Sequence, residues 1–112
     1  MNNDFDTFKK HFKKYQQLFG LTGYKVYFKY EPIDDDCFAD ITIIERVATV
    51  RLNKSLPLKH NPFRDVEQSA KHEAIHLLIH RLEYLARCRY LFRDDIDEAT
   101  EELVVKLEDL IK

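Results

Sequence analysis

Glycine and proline are scarce in this chain. Two Gly and three Pro in 112 residues, with no repeat and no low-complexity tract, leave no room for flexible linkers. One small domain over residues 1–112 is expected. Cysteine is equally sparse: Cys37 and Cys88 stand far apart and no C-x-x-C occurs. That excludes a zinc ribbon or a disulfide scaffold and points to two reduced thiols. No apolar run approaches the ~20 residues of a bilayer span, and the opening MNNDFDTF lacks the apolar stretch of a secretory signal. A cytoplasmic protein without a membrane partner is therefore expected. An excess of one charge is missing too, since 18 Lys and Arg face 20 Asp and Glu for a net −2, so nothing global favours nucleic acid. What the chain does have is 45% hydrophobic residues, with eight Phe and six Tyr: the material of a folded core.

The patterning predicts an α+β order. Residues 4–19 carry Phe5, Phe8, Phe12, Tyr15 and Phe19 at spacings of three and four, after capping candidates Asp4 and Asp6 and before Gly20. That is an amphipathic helix, and Lys9, Lys10, Lys13 and Lys14 on its other side read as a solvated face. Tyr24, Val26, Phe28 and Tyr30 then alternate with polar or exposed positions, as a half-buried strand does. Glu31-Pro32 ends that strand and Asp34-Asp35-Asp36 forms an exposed turn; the spaced ligands and glycine of a calcium loop are absent. Strands over residues 37–44 and 47–53, joined through Glu45-Arg46, complete a three-stranded, mostly antiparallel meander. After a loop over residues 54–61, Asn61-Pro62 opens a long helix over residues 62–88. A break near residues 89–93 precedes a last helix, residues 95–111, expected to bury Ile96, Ala99, Leu103, Val104, Leu107, Leu110 and Ile111.

Chemistry concentrates in the long helix, in His72-Glu73-Ala74-Ile75-His76. Two imidazoles four residues apart lie one above the other on one helix face, within reach of a single metal ion. Glu73, one residue on from His72, is turned about 100° round the helix, beside that ion rather than onto it. There it can take a proton from water, as in H-E-x-x-H metalloproteases. His80 continues the spacing, but it lies about 12 Å along the axis from His72, too far to share the same ion on a straight helix. A catalytic zinc usually takes three protein ligands and keeps one position open, so a third must come from elsewhere.

The final helix opens DDIDEATEEL, and here the chain resembles the gluzincin type of zincin metallopeptidase. In that family HExxH is followed some twenty or more residues later by a ligating Glu on the next helix. The Glu is often followed by Ala, with an acidic group one turn on that orients a ligand. Glu98-Ala99 matches the pair and Glu102 the later acidic position. Over residues 22–107 the order of elements is similar to the minimal cores of SprT-like and ImmA/IrrE-like families. The resemblance implies one zinc per chain held by His72, His76 and Glu98, with Glu73 as general base. Glu101, then Asp97 or Asp94, are the alternatives to Glu98, because Glu98 faces away from the centre of its helix's apolar stripe.

Departures from these families narrow the reading. The Gly and third His of metzincins are absent, as are a downstream cysteine-rich zinc ribbon and a DNA-binding helix-turn-helix. The expected function is hydrolysis of peptide bonds in a protein or peptide substrate, with Tyr84, Arg87 and Tyr90 as candidate oxyanion donors and strand 48–52 as an edge for an extended peptide. The alternative is a non-proteolytic binding module, an inhibitor or assembly factor on the same scaffold, with or without zinc.

Overall fold

The first helix, α1 (Asn3–Leu18), forms where the aromatic spacing predicts it. Its Phe8 and Phe12 are completely buried. Gly20 closes the helix in the left-handed region at φ 70, which lets Leu21 N–H reach Gln16 C=O at 2.9 Å and Gly20 N–H reach Gln17 C=O at 3.0 Å. Orphan carbonyls of the last turn are thereby satisfied. In this computed structural model of the protein the described residues are 3–34, 37–54, 65–88, 90 and 92–110. Beyond Lys54, the loop expected over residues 54–61 lies outside them, as do the helix start at Asn61-Pro62, two of the three turn aspartates and Ile111.

Strands β1 (Lys25–Glu31), β2 (Ala39–Ile44) and β3 (Val47–Asn53) follow, so the α+β class and the three strands are as expected. The sheet, however, is mixed rather than a meander: its order is β1-β3-β2, with β3 parallel to β1 and antiparallel to β2. The reason lies in the two connections. Ile44 pairs with Val47, so Glu45-Arg46 is a two-residue hairpin turn, which forces β2 and β3 together. Residues 32–38, between β1 and β2, are too many for a tight hairpin, and Ile33, Cys37 and Phe38 are bonded to the end of β3 instead. Asn53, buried to 1% exposure, holds them there. Its Oδ1 accepts from Ile33 N–H at 3.2 Å, its Nδ2 donates to Cys37 C=O at 2.9 Å, and its own N–H donates to Phe38 C=O at 2.9 Å.

As the central strand, β3 buries Ala48, Val50 and Leu52 completely. The register places Phe28 beside Val50 on the same sheet face, and α1 packs there. Phe28 meets Phe12 edge-on at 5.5 Å between ring centres and Phe8 at 6.4 Å, while Phe5 stacks on Tyr30 at 5.3 Å. Large aromatic areas removed from water, about 1.5–3 kcal/mol per fully buried side chain, make this layer the principal apolar contact of the first half. On the other face, Arg51 ties the three strands together through Asp40 on β2 and Glu31 on β1.

Helix α2 (Val66–Arg87) and helix α3 (Arg93–Leu110) complete the chain. Two compact units result, Met1–Leu77 and Leu78–Lys112, with the division inside α2. The first unit buries Ala70, Ala74 and Leu77 of α2. In the second, Ala99 is buried and Ile96, Leu103 and Leu110 are partly covered, but Val104 and Leu107 are exposed, contrary to expectation. The apolar stripe of α3 is thus narrower than its sequence suggested. No helix among the described residues is long and apolar enough to cross a membrane.

Candidate metal centre

Helix α2 begins one residue after Asp65, whose Oδ1 accepts from Gln68 N–H at 3.0 Å. This N-cap satisfies one of the orphan donors of the first turn. The pattern Asp65-x-x-Gln68 is a capping-box signature, and it marks the first turn of the described helix. With no Gly or Pro beyond it, the helix carries His72, Glu73 and His76 in continuous register.

His72 and His76 are exposed, whereas Glu73 between them is buried. Their Nε2 atoms converge to 3.2 Å, with the rings 4.8 Å apart and inclined at 74°. Zn–N bonds of about 2.0–2.1 Å at a tetrahedral angle would place two ligating nitrogens about 3.3 Å apart. The pair therefore fits a shared tetrahedral ion. Glu73 is 5% exposed, and its carboxyl has no hydrogen-bond or ion-pair partner among the described residues. Burial, and secondarily the charge of Asp40, raise its pKa from 4.5 to about 7. Asp40 was not anticipated from the sequence. It is the second residue of the edge strand β2 and is itself held by Arg51, which donates from Nε to Oδ1 at 2.8 Å and from Nη2 to Oδ2.

Glu98 lies on α3 in the second unit, largely exposed, and accepts from Arg81 Nη2 at 3.0 Å. Arg81 also donates from Nη1 to Glu102 Oε2 at 2.6 Å, and the hydrogen bonds to Glu98 and Glu102 raise the guanidinium pKa. The Glu98/Glu102 spacing thus has a structural role of its own: one arginine clamps both acids. Glu101, Asp97 and Asp94 are exposed on the same helix. Among the described residues no group of three or more His, Cys, Asp or Glu side chains is gathered as a ready metal cage. Of the candidate oxyanion donors, Tyr84 and Tyr90 are exposed and Arg87 pairs with Glu83 at 3.6 Å. His80 is half-buried with its ring 6.2 Å from that of Tyr84.

Beside Glu73 a cleft of about 380 Å³ opens between α2 and the start of β2. Strand 48–52 cannot serve as the peptide-pairing edge, because β3 is hydrogen-bonded on both sides. The edges are β1 and β2, and β2 is the one that borders the cleft. The chain matches no family model, no curated protein and no solved structure.

Proposed function

We propose that the protein is a zinc-dependent peptidase in which His72 and His76 hold the ion and Glu73 is the general base. The observation that carries the reading is the approach of the two Nε2 atoms to 3.2 Å next to a buried carboxyl that has no partner among the described residues. Glu98 is the third ligand on the strength of the resemblance to gluzincins. To serve, its carboxylate must share or leave Arg81. Bound zinc would supply Lewis acidity, lowering the pKa of a water and polarising the scissile carbonyl.

The rest is work for the chain's own groups. A carboxyl with a pKa near 7 is balanced to accept a proton from water on one of its Oε atoms and release it to a leaving amine. Burial makes that balance, since it penalises the charged form that would otherwise hold the proton too weakly. The open edge of β2 offers backbone N–H and C=O groups to an extended peptide. Asp40, fixed by Arg51, keeps a negative charge near Glu73 and so sustains its proton affinity.

Metal content of the purified chain, wild type beside His76→Ala and Glu98→Ala, tests the reading. About one zinc per chain, lost in both variants, is expected. Zinc retained in Glu98→Ala moves the third ligand to Glu101 or Asp97; no zinc in any sample, even after incubation with excess metal, sinks the proposal. The Arg81 clamp on Glu98 favours the second reading, a non-proteolytic binding module. Under that reading Glu73→Gln leaves function untouched, whereas in a peptidase it abolishes turnover while zinc stays bound.

A further inference from the structure

We propose that the cleft between the start of β2 and the first two turns of α2 is a pocket for a basic side chain of the bound peptide, selected by Asp65. The proposal rests on the peptide-binding reading above and names its substrate class: chains carrying Lys or Arg beside the reacting bond.

One wall of the cleft is made by Asp65, Gln68, Ser69, His72 and Glu73, whose spacing of three and four puts them on a single face of α2. Phe38 and Ala39 form the opposite wall. At about 380 Å³ the space is near the lower end of the ~300–1,000 Å³ of ligand pockets, enough for a side chain and its flanking backbone.

The polar groups decide what kind of side chain. Two of the lining residues, Asp65 and Glu73, carry carboxyl groups, and no Lys or Arg lines the cleft among the described residues. Glu73 is nine-tenths buried and has no partner among the described residues; a buried polar group in that state calls for one. Asp65 spends Oδ1 on the N-cap bond to Gln68 and keeps Oδ2 for a ligand. Phe38 and Ala39 suit the methylene stem of Lys or Arg, whose charged head can then reach Asp65. An acidic side chain would meet two carboxyl groups, and an apolar one would leave them unpaired. A helix N-terminus favours anions, but here Asp65 already occupies that position.

The test compares N-acetyl-Ala-Lys-Ala-amide with its norleucine counterpart on the purified full chain, with binding read by chemical-shift titration. The lysine peptide is expected to bind about five- to tenfold more tightly. That preference should fall below about twofold in Asp65→Asn, which keeps the N-cap because Asn caps as well as Asp. It should fall likewise in Ser69→Lys, which places a cation of the chain's own in the cleft. Equal affinities in the wild type, a preference unchanged in Asp65→Asn, or no binding of either peptide overturns the pocket. Hydrolysis of the same two peptides is followed separately. Lysine preference in binding without hydrolysis leaves the pocket standing and removes the peptidase reading; hydrolysis indifferent to lysine does the reverse.

Discussion

Glu73→Gln should make the metal-free protein more stable at pH 8 and change it much less at pH 5. In the folded chain the Glu73 pKa is raised from 4.5 to about 7, so between those two values the folded state binds a proton that the unfolded state has released. Stability therefore falls as pH rises through that window, and the cost is complete above the folded pKa. At about 1.4 kcal/mol per pH unit the ceiling is about 3 kcal/mol. The carboxyl borders a cleft that admits water, and solvent screening reduces the expected cost to about 1–2 kcal/mol. A glutamine has nearly the same shape and no charge, so it removes this cost and leaves the packing alone. Urea unfolding with a chelator present, wild type and variant at pH 5 and pH 8, gives four stabilities. The advantage of the variant at pH 8 should exceed that at pH 5 by about 1–2 kcal/mol. Parallel pH profiles for the two proteins would refute the claim that burial holds this carboxyl near neutrality.

Asn53→Ala should destabilise by about 3 kcal/mol, because it removes the side-chain partner of Ile33 N–H and Cys37 C=O at a buried position; thermal melts read this directly. Phe12→Ala empties the space beside Phe28 and should cost about 3–5 kcal/mol in urea unfolding. Glu45 holds φ 56 at the hairpin turn, so Glu45→Gly should stabilise by about 0.5–1 kcal/mol by removing side-chain strain in the left-handed region; a lower melting temperature would contradict this. Arg81→Met should leave stability within about 1 kcal/mol, since its two ion pairs are solvent-facing. If Glu98 is a zinc ligand, the same substitution should tighten zinc binding by freeing its carboxylate, as read by competition with a chelating dye.

What the sequence made legible was local. The aromatic spacing from Phe5 to Phe19 located α1, and alternation along Val26, Phe28 and Tyr30 located β1, because helical and extended periods differ in a few residues. His72, Glu73 and His76 were legible for the same reason: a four-residue helical spacing fixes side-chain proximity without help from the rest of the fold. The Asp65 cap also has a local signature, the Asp65-x-x-Gln68 spacing. Asp40, by contrast, acts on Glu73 through its charge from another element, and no spacing within either segment predicts that influence.

Sheet order was the main error, and it turned on a single side chain. Alternation in β1, β2 and β3 reports which residues face inward; it carries no information on which strand sits between the others. A meander needs a tight turn after β1, but Pro32 and the long connection already spoke against one. Asn53 supplies what the connection lacks: its amide binds Ile33 and Cys37 and so ties both to the end of β3. That arrangement frees β2 to become an edge and brings Cys37, Phe38 and Ala39 to the wall of the cleft opposite His72 and Glu73. A buried asparagine far from HEAIH in sequence thus helps shape the space beside the candidate general base. Losing the latch should accordingly weaken peptide binding as well as stability, a coupling that a cap or surface substitution of equal energetic cost would not show.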